Sequence, residues 1–157
     1  MSATLSPDRP RTTTERQFAT FYVGHMLLGI DIGCVQEINR QLESTQVPHA
    51  PKYVCGVINL RGEVATVIDL GTILGMPPAK TTRSTRNLIV HHQGEAIGLL
   101  VDRISDILTL EEDQINPPPA NVGGVDGRLM NGVCTLESEI VVLLDVDQVL
   151  LDGARQE

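Results

Sequence analysis

Two apolar runs separated by a polar triplet form the most regular pattern in the chain. The runs occupy residues 57–60 and 64–70, and Arg61-Gly62-Glu63 lies between them. Because Gly62 can adopt the positive φ of a tight turn, the pattern predicts a β-hairpin. The same pattern returns in residues 132–146, at a constant offset of 76 residues (132 less 56). The matched positions are Gly56 and Gly132, Val57 and Val133, Leu60 and Leu136, Glu63 and Glu139, Val64 and Ile140, and Asp69 and Asp145.

An earlier block of the sequence is repeated as well. Gly29-Ile30, followed by residues 35–38, matches Gly98-Leu99, followed by residues 104–107, at an offset of 69 residues (98 less 29). The blocks keep their order in both halves, which indicates an internal duplication. The second copy carries about seven extra residues (76 less 69), and we expect them in the loop at residues 117–128.

Each copy predicts about five short strands followed by a short helix. Residues 17–23 and 26–32 predict an opening hairpin, and a turn then leads into a third strand that ends near Ile38. Asp69 and its match Asp145 directly precede short apolar segments, where we expect them to cap helices. Five short strands and one helix are too few elements for an open sheet with both faces covered. The pattern therefore predicts a mainly β fold of two five-stranded barrels, with short helices between them and at the C-terminus.

Composition along the chain sets the expected boundaries. Residues 1–15 hold two prolines and three consecutive threonines with little apolar content, so we expect a disordered tail. Residues 16–151 are expected to form a single domain, with the first barrel at about 16–80 and the second at about 86–146. Residues 152–157 are expected to be a frayed end.

Bulk composition narrows the classes of function. Hydrophobic residues make up 41% of the chain but aromatic residues only 3%, so the core must consist of Val, Ile and Leu, which favour strands. The apolar runs are far shorter than the roughly 18 to 20 residues that cross a bilayer, so we expect a cytoplasmic protein without membrane insertion. A net charge of −8 disfavours nucleic acid as a partner. Cys34, Cys55 and Cys134 are widely spaced in apolar sequence, and we expect no disulfide.

The candidate chemical groups do not form a catalytic pattern. Asp31, Asp69, Asp102 and Asp145 could be proposed as carboxylate pairs, but two of them occupy matched positions, as helix caps would. His91 and His92 are adjacent on a predicted strand and would point to opposite faces, so they cannot readily share a metal. The sequence gives no support for an enzyme, a metal site or a cofactor.

The two copies differ most informatively at the hairpin tip. The first copy has Asn-Leu-Arg-Gly at residues 59–62, where the second has Thr-Leu-Glu-Ser at residues 135–138. An arbitrary solvated turn would explain this difference. A docking site would explain it too, because Arg61 has a planar donor fork and an apolar stem suited to protein interfaces. We further expect Glu37 to pair with Arg61 across the sheet and to orient it.

These stretches resemble the CheW family of bacterial chemotaxis coupling proteins over residues 17–151. The resemblance lies in residues 56–64 and 67–70, with residues 35–38 upstream and 98–102 downstream. It implies two SH3-like five-stranded barrels. It also implies a non-catalytic adaptor that joins the histidine kinase CheA, through its regulatory domain, to the cytoplasmic tips of chemoreceptors. Such a protein would be cytoplasmic and recruited to membrane-associated receptor arrays.

The resemblance also implies a set of contact residues. Thr66 and Gly71 depart from the family pattern, which commonly has proline at the first position and arginine at the second. Gly98 and Ile104 are expected to face the groove between the lobes. The receptor-contact region falls on Ile32, Val35, Glu37, Gly56, Val57, Asn59, Leu60, Arg61 and Gly62.

Three other functions remain open at this point. The chain could be a regulatory domain of a kinase or a CheV-type protein, although 157 residues leave no room for a receiver or ATP-binding domain. It could also be a CheW-like scaffold in a pathway other than motility. From another class, it could be a small barrel that binds a ligand or acts as a hydrolase, with Asp31 and Asp102 in a cleft.

Overall fold

The computed structural model describes residues 15–77 and 80–155 of a mainly β protein. Three short 3₁₀ turns occur at Ile32–Cys34, Glu112–Gln114 and Gly127–Leu129. The two helices are α1 (Leu70–Ile73) and α2 (Val146–Arg155). The strands, in chain order, are β1 (Glu15–Val23), β2 (Met26–Asp31), β3 (Val35–Asn39), β4 (Val54–Leu60), β5 (Glu63–Asp69), β6 (Arg86–His92), β7 (Glu95–Val101), β8 (Arg103–Glu111), β9 (Asn121–Val122), β10 (Val125–Asp126), β11 (Met130–Thr135) and β12 (Ile140–Leu144).

Ten of these strands form two five-stranded sheets, which confirms the predicted fold class of two SH3-like barrels. Barrel I has the order β11-β12-β2-β1-β8, and barrel II has the order β3-β6-β7-β5-β4. The paired strands run antiparallel except at two places, where β12 pairs with β2 and β5 pairs with β7 in parallel. The predicted central hairpin is β4–β5, and its match is β11–β12.

The expected division into barrels at residues 16–80 and 86–146 is wrong, because the two copies exchange their opening hairpins. Barrel I combines β1 and β2 of the first copy with β8, β11 and β12 of the second. Barrel II combines β6 and β7 of the second copy with β3, β4 and β5 of the first. The 3₁₀ turn at Ile32–Cys34 carries the chain out of barrel I into barrel II. At the matched place in the second copy, the chain passes from β7 into β8 at Asp102. Each barrel therefore contains strands from both halves of the sequence.

The exchange follows the duplication in its register. Leu143 pairs with Gly29 in barrel I, and Val67 pairs with Gly98 in barrel II, at matched positions of the two copies. A Cβ built on Gly29 would lie 3.2 Å from the Leu143 side chain, and one on Gly98 would lie 3.4 Å from the Val67 side chain. Glycine at both positions therefore lets the parallel neighbour pack closely against the strand.

Three apolar clusters make up the core. One lies inside barrel I and includes Phe18, Leu110 and Leu143, and one lies inside barrel II and includes Ile58 and Ile89. The largest joins the barrels to each other and to both helices, with members such as Leu28 and Leu70 that are fully buried. Because burial of apolar surface favours folding, this shared cluster stabilises the packing of the two barrels against each other.

The predicted helix caps are confirmed. Asp69 Oδ1 accepts a hydrogen bond from Thr72 N at 3.2 Å, and Asp145 Oδ1 accepts one from Gln148 N at 3.2 Å. The extra residues of the second copy form the small hairpin β9–β10, inside the predicted loop. Helix α2 continues to Arg155, so residues 152–155 are helical and the expected frayed end there is wrong. Gly153 in this helix packs closely against Ile73 of α1, where a Cβ would approach to 3.0 Å.

Two expectations can be compared with the structure only over the described residues. The predicted tail at residues 1–15 lies outside them except for Glu15, which begins β1. No helix within residues 15–77 and 80–155 is long and apolar enough to span a bilayer.

The exchanged hairpins predict that neither half of the chain folds alone. We expect fragments 1–82 and 83–157 to show no cooperative thermal transition separately, because each lacks the strands that complete its barrels. An equimolar mixture should recover the circular dichroism spectrum and the transition of the intact chain. A cooperative transition in one isolated fragment would contradict the exchange.

Candidate interaction site at the Arg61 hairpin tip

The tip of the β4–β5 hairpin is a two-residue turn that exposes a cation. Arg61 has φ 52° and Gly62 has φ 92°, the positive values that a type I′ turn requires at both central positions. Asn59 Oδ1 accepts a hydrogen bond from Gly62 N at 2.8 Å, which satisfies a backbone donor inside the turn. The Arg61 side chain is 71% exposed, so its guanidinium is available to a partner.

Glu37 on β3 pairs with Arg61, as the sequence analysis expected. The Glu37 carboxylate also accepts a hydrogen bond from Asn39 Nδ2 at 3.2 Å. The hydrogen bond from Arg61, followed by that from Asn39, lowers the pKa of Glu37 below its ordinary value, and the same pairing raises the pKa of Arg61. A carboxyl group with a lowered pKa stays ionised at neutral pH. The pair is therefore intact there and is lost only as the pH falls through that lowered pKa.

The segment after β3 lies against β4 and joins the two sides of the site. Thr45 and Val57 exchange two backbone hydrogen bonds, each of 2.9 Å. Gly56 has φ 150° and sits where the pairing of β4 with β5 is irregular. A Cβ on Gly56 would lie 2.5 Å from Thr45 O, so glycine is required for this close approach.

The structure brings Glu37 of β3 to Arg61 at the tip of the β4–β5 hairpin, whereas Gly98 lies on β7 and Ile104 on β8 of barrel I. Exposure divides the predicted residues into three groups. Those with exposed side chains or backbone are Ile32, Asn59, Arg61 and Gly62. Those that are half-buried are Val35, Glu37, Val57 and Ile104. Gly56, Leu60 and Gly98 are buried.

Two of the buried residues lie elsewhere than the sequence indicated. Leu60 belongs to the apolar cluster inside barrel II, because it is an inward-facing residue of β4 next to the turn. Gly98 was expected to face the groove between the lobes, but a Cβ there would point at Ile89 and Asn87, inside barrel II. Ile104 does pack against the cluster between the barrels.

The comparisons with known proteins agree with this architecture. The family model described as "CheW-like domain" matches residues 17–153, most of the chain. The chain belongs to the CheW-like domain family.

Curated relatives and a solved structure give the same assignment. The chain is 34% identical to chemotaxis protein CheW of Rhizobium meliloti over 92% of this chain and 94% of that protein. It is 31% identical to chemotaxis protein CheW of Helicobacter pylori over 85% of this chain and 81% of that protein. The crystal structure of the scaffolding protein TtCheW from Thermoanaerobacter tengcongensis superposes with a TM-score of 0.78 at 28% identity, covering 85% of this chain and 86% of that one.

The two departures from the CheW pattern lie at packed positions. Thr66 is half-buried on β5, where it pairs with Val57 on one side and Ile97 on the other. Gly71 is buried in α1, and a Cβ there would lie 3.2 Å from the Val23 side chain and 3.4 Å from Pro77 O. The packing around Gly71 therefore leaves little room for the arginine that the resemblance led us to expect at this position.

The carboxylates considered for catalysis in this CheW-like domain have structural partners instead of each other. Asp31 pairs with Arg16 at 3.3 Å and accepts a hydrogen bond from Gly33 N. Asp102 accepts a hydrogen bond from Gly24 N at 2.6 Å and lines a cavity of about 1010 Å³ beside the β1–β2 turn, which Asp31 does not line. The shared cleft that a hydrolase would need is not formed by these two residues.

The histidines likewise have separate partners. His91 lies 3.4 Å from Glu63, whereas His92 lies 2.9 Å from Asp147 at the start of α2. Within the described part of the chain, no group of three or more His, Cys, Asp or Glu side chains is arranged to hold a metal ion.

Sequence reasoning missed several residues around the site. Asn39, Gln41 and Asn87 form hydrogen bonds that lead to the hairpin tip. The signal that could have found them is a comparison of the two copies at the 69-residue offset, since their matches Leu108, Leu110 and Phe18 are all apolar. Large apolar side chains exposed at matched positions were missed as well. They are Ile38 and Ile107, and Val64 and Ile140.

Gly56 offers a test of the close approach beneath the site. We expect Gly56→Ala to lower the free energy of unfolding by about 1–3 kcal/mol, because the new Cβ would meet Thr45 O in a backbone conformation that favours glycine. Gly94→Ala is the matched control, since Gly94 also has a positive φ but nothing within 4 Å of its Cβ. Urea denaturation measures both. Equal losses would show that the approach of residues 44–45 does not constrain Gly56.

Proposed function

We propose that this CheW-like domain is a non-catalytic adaptor of bacterial chemotaxis that joins chemoreceptor tips to the histidine kinase CheA. Family membership and the likeness to a scaffolding protein support an adaptor role. The observation that supports a particular receptor surface is the exposed Arg61, fixed by Glu37 at a hairpin tip. The matched hairpin of barrel I, β11–β12, forms with Glu137 at this position, so packing does not require the arginine.

The surroundings of Arg61 suit the helical hairpin of a receptor. Ile32, in the 3₁₀ turn that precedes β3, is 38% exposed, and Val35 on β3 and Val57 on β4 are half-buried, so apolar side chains are accessible on these elements. A helix that docks on such a surface buries apolar positions along one face, while a carboxylate or backbone carbonyl at its edge can accept hydrogen bonds from the guanidinium. The apolar contacts supply affinity and Arg61 supplies orientation.

A second kind of surface occurs in both barrels. Ile38 and Val64 of barrel II are 42% and 61% exposed, and their matches Ile107 and Ile140 of barrel I are 51% and 49% exposed. Surface isoleucines and valines this accessible are typical of protein interfaces. Because the two barrels present matched apolar residues, they suit a partner with the same doubled fold, as the resemblance implies for the regulatory domain of CheA.

The mechanism is coupling by contact. The adaptor holds receptor and kinase at a fixed separation, so a ligand-induced shift in the receptor changes the kinase through contacts that differ between its two states. Individual contacts need not be strong, because an array presents many linked sites and raises the effective concentration of each partner. The protein would be recruited to the membrane through the receptors.

Charge reversal at the tip tests the receptor surface. We expect Arg61→Glu to weaken co-sedimentation with receptor membranes at least about tenfold and to remove kinase activation, because an interface anchor becomes a repelled anion beside Glu37 and Glu63. The thermal midpoint should change little, since Arg61 is exposed. Glu137→Arg, the reversal at the matched tip of barrel I, is the control and should bind receptors normally. Unchanged activation by Arg61→Glu would discredit the surface.

A substitution in barrel I tests the kinase surface. We expect Ile107→Asp to reduce capture of the CheA regulatory domain at least about tenfold while receptor binding persists, because a charge would replace an exposed apolar contact. Leu151→Asp is the matched control, since Leu151 on α2 is 40% exposed but has no exposed apolar match in the first copy. Loss of capture in both variants, or in neither, would count against this assignment.

A further inference from the structure

Asn87 is a fully buried polar residue inside barrel II. Its side-chain Nδ2 donates a hydrogen bond to Gln41 O, whereas Oδ1 is buried without a hydrogen-bond partner among the described residues. A buried polar atom without a partner is unfavourable for folding. The presence of Asn87 therefore calls for a role other than packing.

Barrel I shows that the fold does not require this polarity. At the 69-residue offset, Asn87 matches Phe18, Asn39 matches Leu108, and Gln41 matches Leu110. The strand register agrees, because Asn39 pairs with Asn87 in barrel II and Phe18 pairs with Leu108 in barrel I. Phe18 and Leu110 belong to the apolar cluster of barrel I, and Leu108 packs against it. The same three positions are thus apolar in barrel I and amide-bearing in barrel II.

The three amide side chains of barrel II join into a network. Gln41 N donates to Asn39 Oδ1 at 3.0 Å, and Asn39 Nδ2 donates to Glu37, the partner of Arg61. On the other side, Gln41 Nε2 donates to Asn59 O at 3.4 Å, and Asn59 accepts from Gly62 N. The network forms a closed ring through Arg61, Glu37, Asn39, Gln41, Asn59 and Gly62, and Asn87 fixes it to the barrel interior through Gln41 O.

We propose that Asn87 is a positioning residue for Arg61: it anchors Gln41, and through the ring it holds the hairpin tip and Glu37 in the arrangement that a receptor recognises. This inference rests on the proposed receptor surface and adds the interior residues that keep it in place. Exposed side chains such as Arg61 lose conformational entropy on binding, so a prearranged ring reduces the cost of docking.

The proposal predicts that replacing Asn87 affects receptor binding without lowering thermal stability. A residue that serves packing alone should destabilise the protein when it is replaced. If Asn87 positions Arg61, Asn87→Leu should leave the thermal midpoint unchanged or raise it. Leucine has a similar size and removes the unpartnered Oδ1, and Gln41 is exposed, so its carbonyl can accept a hydrogen bond from water once the Asn87 donor is lost. The same change should loosen the tip, because Gln41 loses its anchor.

The experiment uses the full chain and three measurements on Asn87→Leu: the thermal midpoint, amide hydrogen exchange at Gly62, and binding to receptor membranes. We expect faster exchange and weaker binding, each by about fivefold, the factor that loss of one hydrogen bond produces. Asn39→Leu, which copies Leu108, breaks the ring at a second place and should give the same pattern. Thr20→Val is the matched control, because it removes a buried hydrogen bond to Asp106 O in barrel I. It should change neither exchange at Gly62 nor binding.

A double-mutant cycle that combines Asn87→Leu with Arg61→Ala tests whether Asn87 affects binding through Arg61. If Asn87 acts through Arg61, Asn87→Leu should cause no further loss of binding once Arg61 is absent, and additive losses would overturn the proposal. A lower midpoint in Asn87→Leu, with exchange and binding unchanged in Asn39→Leu, would also overturn it. If Arg61→Ala binds normally, the proposed receptor surface fails. Exchange at Gly62 still decides whether Asn87 holds the tip, since that measurement needs no receptor.

Discussion

Two parallel strand pairs, β2 with β12 and β5 with β7, hold the structure together. Each pair joins strands from opposite halves of the chain, and a glycine in each allows the close approach. The chain crosses between barrels through the short 3₁₀ turn at Ile32–Cys34, and the strands on either side of it contribute Ile30 and Val35 to the shared apolar cluster. The barrels therefore cannot rotate as two domains on a linker could. A protein that couples partners by geometry needs this rigidity, because a flexible joint would absorb the shift it has to pass on.

The duplication separates what the fold needs from what the binding site needs. Some residues that are alike in both copies serve the architecture, as Asp69 and Asp145 do at the helix caps. The two barrels differ in kind at the hairpin tip and the positions connected to it, where barrel II has Arg61 and the amides of Asn39, Gln41 and Asn87, and barrel I has Glu137 and apolar side chains. Replacing buried apolar groups with amides lowers the hydrophobic contribution to stability. Such a difference, confined to connected residues in one barrel, is the pattern expected when one barrel of a pair takes on a separate binding role.

Much of the fold could be predicted from the sequence, because its elements are local. Alternating apolar runs, Gly62 at the turn and Asp69 before an apolar segment each act through neighbours in the chain. The exchange of hairpins could not be predicted in this way. Gly29 and Gly98 are matched residues, as are Val67 and Leu143, so pairing within a copy and pairing between copies use the same sequence pattern. For the site, the exposure of Arg61 could be predicted from its position in the turn. The burial of Leu60 and Gly98 depends on which face of the sheet each residue occupies, and the sequence pattern did not determine that.

The backbone at the tip shows why Arg61 can serve binding without serving the fold. The β6–β7 hairpin of the same barrel is closed by Gln93 and Gly94, with φ 53° and 81°, nearly the values of Arg61 and Gly62. A residue other than arginine therefore closes the same type of turn. In the β4–β5 hairpin, the Gly62 amide donates its hydrogen bond to Asn59, so the guanidinium of Arg61 is not needed there either. A left-handed non-glycine residue carries a conformational cost, and arginine relieves none of it. What arginine adds lies outside the turn, in its pairing with Glu37 and in the donors that it presents to solvent.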